Sequence, residues 1–301
     1  IGSSFIHLTQ LVLNKKRKHY SVFHPADMNK SSERGAALIT VLFIVMIASL
    51  VVMGLLSRQR LDIERTRSVL SQAEAMSYLS GAEELARQTL LADAVLMPEL
   101  NYPGQRWARL TQGIPVENGT LAFRIEDMQG RFNLNSLHEN EAQKARFIQL
   151  VKSLQLRDEV TPLILAVPAF TDSSELRAIE GLVPDEVTAL LPYVIALPER
   201  QSMLNINTAS EKVLRAYIPD DNAYTRVMDT FAKKGFLDKA QLNGIGVSTK
   251  GMTVSSQYFR LIARAEIAGR ASQLTSDMRR VTDIIGRVHL TVIRRNTSGA
   301  W

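Results

Sequence analysis

Residues 36–56 form an apolar run without one charged residue or proline. Read as an α-helix, about 21 residues at about 1.5 Å rise cover about 31 Å, the thickness of a bilayer hydrocarbon core. A transmembrane helix is therefore expected over 36–57, and whatever follows it is tethered to a membrane. The stretch just before the run is basic and polar, with Lys30 and Arg34 ahead of Gly35. A secretory signal has a shorter apolar core followed by a small-residue cleavage site. Here a cut at Gly35 would leave the whole hydrophobic helix on the product.

Charge and composition narrow the function. The formal net charge is +6, but residues 1–35 hold six bases and two acids, so +4 of it precedes the apolar run and the rest of the chain is close to neutral. Cysteine is absent, which excludes a disulfide framework and a thiolate metal site. Beyond residue 35 the only histidines are His138 and His289, far apart and without His-Glu-x-x-His spacing. No catalytic constellation is found, and the expectation is a protein that is not an enzyme. Met28 would give a leader of residues 28–35, so residues 1–27 are read as an upstream artefact. The positive-inside rule does not decide orientation, because Lys30 and Arg34 on one side face Arg58, Arg60, Arg65 and Arg67 on the other.

Helical periodicity continues past the span. Leu70, Ala73, Met76, Leu79, Ala82, Ala86 and Leu90 recur at gaps of three and four, and the first proline after Gly35 is Pro98. One helix is expected from Ala36 to about Met97, lipid-embedded in its first half and packed on a domain through one face in its second. Turn chemistry fills 98–118, with Trp107 as a packed anchor. Leu121, Phe123 and Ile125 alternate with polar residues as in a half-buried strand, and with 131–135 they are expected to form a hairpin. Residues 139–246 read as short helices: 144–156, 174–179, 185–191, 210–217 and 224–233. Strands return at 258–267, 271–281 and 287–294, and a mobile tail is expected at 296–301.

The order basic leader, Gly35, apolar helix resembles the class III leader of type IV pilins and pseudopilins. In that family a prepilin peptidase cuts after the glycine on the cytoplasmic side, and the new amino terminus, here Ala36, is methylated. Most members carry Glu as fifth mature residue where this chain has Thr40, an absence typical of the pseudopilin K family of type II secretion systems. Three further stretches resemble that family: 119–127 leading into Gly130-Arg131-Phe132-Asn133-Leu134-Asn135; Leu190-Leu191-Pro192-Tyr193-Val194 with Asn205-Ile206-Asn207-Thr208-Ala209; and Val247-Ser248 to Tyr258-Phe259 with the hairpin after it.

The resemblance implies an α+β fold: a pilin-like long N-terminal helix packed on an antiparallel sheet, built from 58–138 and 247–295, with an inserted all-helical, SAM-like domain at 139–246. It also implies a single-pass protein of the bacterial inner membrane with its C-terminal domain in the periplasm. There it would form the pseudopilus tip with minor pseudopilins I and J, meet the major pseudopilin and exported substrates, and promote export of folded periplasmic proteins across the outer membrane. The chain departs from the family between Val160 and Ser174, where members commonly carry an acidic, aromatic loop. A calcium ion is thus left open, with Glu126-Asp127 and Asp220-Asp221 readable as cation ligands or as caps and solvated charges.

Three alternatives remain at this stage. An ordinary single-pass anchor would leave Gly35 incidental, and a minor pilin of a type IV pilus would share the leader. Residues 204–209 and Leu242-Asn243-Gly244-Ile245-Gly246 also resemble pieces of helix-hairpin-helix modules, which hold phosphate backbones. Nucleic-acid binding needs a basic footprint, and only Lys212 and Arg215 lie near the first of these. No nucleic-acid partner is expected, and 205–209 is read as a helix-capping turn.

Overall fold

The computed structural model describes residues 30–110, 113–244, 246 and 248–299. Residues 1–29, with the upstream stretch and most of the leader, lie outside them, as do Ile245, Val247 and the last two residues of the expected tail. The chain divides into two compact units, Ile1–Arg65 and Thr66–Trp301.

The described part of the first unit is one helix, the opening portion of α1 (Lys30–Leu96). It contains a window apolar enough to cross a membrane, none of it buried. Ser49 and Ser57 donate their hydroxyls to the carbonyls of Val45 and Met53 at 2.8 and 2.9 Å, so these polar groups are satisfied within the helix.

In the second unit the remainder of α1 is followed by a single turn, α2 (Arg106–Arg109), and by strands β1 (Ile114–Val116) and β2 (Gly119–Asp127). A lobe of short elements comes next: β3 (Phe132–Asn133), α3 (Glu141–Ser153), α4 (Val160–Leu165), α5 (Pro184–Leu190), β4 (Val194–Ile195), β5 (Leu204–Asn205), α6 (Glu211–Tyr217), α7 (Asp221–Lys234), α8 (Lys239–Asn243) and β6 (Met252–Thr253). The chain then returns through β7 (Tyr258–Ile267), β8 (Arg270–Thr282) and β9 (Val288–Gly299).

The main sheet has the order β1-β2-β7-β8-β9 and is antiparallel throughout. Neighbouring strands β2 and β7 are in register from Gly119 opposite Ile267 to Asp127 opposite Phe259, so the lobe is an insertion between two paired strands. Alternation puts Leu121, Phe123, Ile125, Phe259, Leu261, Ala263, Ala265 and Ile267 on one buried face against Ala75, Leu79, Ala82, Ala86 and Leu90 of α1. Alanines lie on both surfaces, Ala75, Ala82 and Ala86 on the helix and Ala263 and Ala265 on the sheet, and Trp107 joins this core edge-on to Phe259 at 5.6 Å. The stripe on α1 begins at Ala75. Leu70 and Ala73, expected on it, are exposed, because extending the 3.6-residue period back from Ala75 lands on Ser71.

Two turns follow from backbone geometry. Ala268 and Gly269, both with positive φ (50° and 76°), join β7 to β8 as a two-residue loop, the mirror-image turn that matches strand twist. Gly119 opens β2 where any Cβ would lie 1.7 Å from the Glu266 carbonyl oxygen.

The lobe has its own core, in which Phe132, Leu134, Leu137, Phe147, Leu150, Ile164, Leu176, Leu190 and Ile206 are all within 1% of full burial. Phe132 packs on Phe147 and Tyr217 at centroid distances of 5.3 and 6.2 Å. This corrects two expectations. No hairpin joins 121–126 to 131–135: β2 ends in a 3₁₀ turn, Met128–Gly130, and β3 pairs in parallel with β4, far along the chain. Phe132, Leu134, Leu137, Met252 and Val254 thus pack in the lobe core, beyond the 139–246 boundaries. A third correction concerns the tail: Asn296 and Gly299 pair with Thr275 and Ser272, so β9 runs through most of 296–301.

Candidate functional site

Gly35 and Ala36 lie inside α1, just after its first turn from Lys30, and Thr40 is exposed one turn further on. The three residues expected to govern processing and assembly therefore share one continuous helix.

The other concentration of polar chemistry is the junction between lobe and sheet, where sequence reading expected only a capping turn. Asp127, the last residue of β2, is 8% exposed. Its Oδ2 accepts from Asn205 Nδ2 and Thr208 Oγ1, both at 2.7 Å, and from Ser256 Oγ at 2.5 Å; its Oδ1 accepts from the Gln129 backbone N–H at 2.8 Å. Asn205, fully buried, also reaches the Asn101 carbonyl and Ser256 Oγ, while its own Oδ1 accepts from the Asn207 N–H. Gly130 lies against this hub, where a Cβ would meet the Thr208 carbonyl oxygen at 2.7 Å. The expected cap is thus a hub, and Ser210, the residue before α6, makes no side-chain cap bond.

Arg280 of β8 completes the junction. It is buried, donates to Asn101 Oδ1 at 2.7 Å and to the Ser256 carbonyl, and stacks on Phe259. Burial pushes the Asp127 carboxyl up and the Arg280 guanidinium down from their ordinary ranges. A second tie uses Asp277 of β8, which Arg260 holds at 2.6 and 3.0 Å and Arg294 at 2.6 and 2.9 Å. Arg294 also reaches Asp172 of the lobe at 2.7 Å.

The lobe builds one device twice. In Phe132-Asn133-Leu134-Asn135 and Leu204-Asn205-Ile206-Asn207 the first asparagine folds back onto the N–H two residues on, at 3.2 and 3.1 Å. The second clamps a distant residue through both backbone groups: Asn135 binds the N–H and carbonyl of Phe170, and Asn207 those of Leu237. Each clamped residue precedes an aspartate in a capping box, Asp172 with Glu175 and Asp238 with Gln241. The repeated apolar-Asn-apolar-Asn pattern is the sequence signal that could have found the hub.

This site holds structure together through hydrogen bonds: the Asp127 carboxylate is occupied by the Asn205 amide, the Thr208 and Ser256 hydroxyls and the Gln129 backbone N–H. The acid pairs considered for a cation have protein partners: Glu126 pairs with Arg124 and Arg131, Asp220 caps α7 through the Ala223 N–H, and Asp221 meets Arg215 at 2.5 Å. Among the described residues no group of three His, Asp or Glu side chains is arranged to hold a metal.

No family model matches the chain. Type II secretion system protein K of Pseudomonas aeruginosa is 30% identical over 304 residues, covering 84% of this chain and 91% of that protein. The protein of the same name from Aeromonas hydrophila is 27% identical, covering 88% and 97%. Among solved structures, a chain of the GspK-GspI-GspJ complex from the type 2 secretion system of enterotoxigenic Escherichia coli matches with a TM-score of 0.63, covering 78% of this chain and 99% of its own at 21% identity. That likeness speaks to the fold.

Proposed function

The chain belongs to the type II secretion system protein K family, and from that premise we propose that it works as a minor pseudopilin without catalytic activity, placed at the tip of the pseudopilus with minor pseudopilins I and J. The observation that carries the reading is the 30% identity across 91% of the Pseudomonas aeruginosa protein. In this reading 36–57 anchors the protein once in the inner membrane, with the second unit in the periplasm, and the tip complex primes the major pseudopilin to drive export of folded proteins.

Processing follows from Gly35. Prepilin peptidase cuts after it, where a side chain would obstruct approach to the bond, and Ala36 becomes the methylated amino terminus. Thr40 then sets the place in the fibre. A carboxylate in lipid is costly unless paired, and a glutamate at the fifth mature position has a partner in the amino terminus of the neighbouring subunit. The uncharged Thr40 makes no such demand, and the insertion at 128–257 adds bulk against further stacking; both suit a terminal subunit.

Deleting the gene in its host tests the reading: loss of secretion of all type II substrates is expected, and unaffected secretion overturns it. Intact mass of the processed protein should place its first residue at Ala36, and Gly35→Val should leave a longer chain. Gold label on the protein is expected only at the ends of overproduced fibres, and even labelling along them would rule out the tip.

A further inference from the structure

Between lobe and sheet lies a cleft of about 630 Å³ whose walls include Met128, Phe170 and Ile293 and whose rim carries Arg200, Arg279 and Arg294. The charges in its lining are three arginines against one aspartate, Asp277. That aspartate is already bound by Arg260 and Arg294, so it compensates neither Arg200 nor Arg279, and Arg279 pairs instead with Glu199. Among the described residues, the exposed Arg200 makes one contact, a 3.5 Å approach to the Pro168 carbonyl. Arg279 meets Glu199 at 3.4 Å, and its buried Nε has no hydrogen-bond partner among the described residues.

We infer that this cleft receives an acidic segment of another polypeptide, seating an apolar side chain against Phe170 and Ile293 while a neighbouring carboxylate engages Arg200 and Arg279. Guanidinium groups fit carboxylates through paired N–H donors. A cleft apolar in its walls and cationic at its rim selects a ligand carrying both features, as neither a simple anion nor a neutral peptide does. One side of the rim is prebuilt: the Asp277–Arg294–Asp172 tie joins lobe to sheet and holds Arg294 in place. None of these residues is on α1, and the inference stands apart from the tip reading.

The test uses the full-length chain in detergent micelles, titrated by fluorescence anisotropy with a labelled peptide of alternating Leu, Phe, Asp and Glu, and with its Asn and Gln counterpart. Saturable binding of the acidic peptide is expected, weakened at least tenfold for the neutral one and at least tenfold by Arg200→Gln with Arg279→Gln. Arg200→Gln alone, at an exposed position that does not endanger folding, should weaken binding severalfold, and Arg200→Glu more so. No binding to the wild-type chain, equal binding of the neutral peptide, or unchanged binding in the variants overturns the inference. So does displacement of the label by inorganic phosphate at constant ionic strength as effective as that by unlabelled peptide, which would make the cleft a simple anion site.

Discussion

Replacing Asn205 by alanine tests whether the junction joins the lobe and the sheet into one cooperative unit. The wild-type amide donates to Asp127 Oδ2 at 2.7 Å and accepts from the Asn207 N–H at 3.1 Å, with no exposure to water. A hydrogen bond to a charged group contributes about 1.5–3 kcal/mol, and a buried N–H left without a partner costs about 1–3 kcal/mol. Asn205→Ala should therefore destabilise the unit by about 3–5 kcal/mol, a large share of the roughly 5–15 kcal/mol available to a domain. Asp127 would also lose one of its donors, and its carboxyl should move further up from its already raised position. The assay is urea unfolding of a fragment beginning at Thr66, followed by far-UV circular dichroism for the lobe helices and by tryptophan fluorescence, with Trp107 buried in the sheet core. In the wild type the two signals should coincide; in the variant the lobe should unfold at lower urea than the sheet. A loss below about 1 kcal/mol, far under the penalty for orphaned buried groups, with both transitions still coincident, would refute the reasoning.

Gly130→Ala should destabilise by about 1–3 kcal/mol, since its Cβ would press on the Thr208 carbonyl oxygen and push Thr208 off Asp127; a loss within error of zero in the same assay would contradict the contact. Ala268→Asn should stabilise by about 0.5–1 kcal/mol by relieving an alanine held at φ 50°, read as a raised urea midpoint, with a lowered midpoint counting against it. Burial pushes the Tyr217 hydroxyl up to about 12, with Arg146 and the bond to Gln143 opposing in part. Unfolded tyrosine ionises near about 10, so the folded state holds its proton where the unfolded state releases it. The contribution of Tyr217 to stability is then intact below about pH 10 and lost as pH rises towards 12. Tyr217→Phe should flatten that alkaline loss and remove one late-ionising tyrosine from the 295 nm titration; an unchanged titration would refute the assignment.

Where information is local, sequence reading and structure agree closely. The continuous helix through the apolar run follows from composition and the lack of proline, and β7 runs over 258–267, as its period-two alternation predicts. What sequence could not show depends on partners far along the chain. Phe132 alternates like a strand residue whether its neighbour is β2 or β4, and only the parallel pairing with Val194 decides for the lobe. Asn205 has the same chemistry in a cap as in a hub; its role is set by Asp127 and Ser256, 78 and 51 residues away. At the amino terminus the position is reversed: the proposed roles of Gly35, Ala36 and Thr40 are read from their linear order alone, and the structure adds only that all three lie in α1.

Placing the lobe between paired strands β2 and β7 also dictates a folding order. Asp127 and Phe259 are direct partners across the sheet, so pairing them in a disordered chain closes a loop of about 130 residues, an entropy penalty of about 4 kcal/mol. A lobe that collapses first around Phe132, Phe147 and Tyr217 brings its two ends together at the Asp127–Asn205–Ser256 contacts before any strand has paired. The long closure then shrinks to a short one, and β2 and β7 meet almost as the arms of an ordinary hairpin. On this argument the insertion is expected to form before the sheet and to template its pairing, and kinetic experiments should find helix formation preceding burial of Trp107.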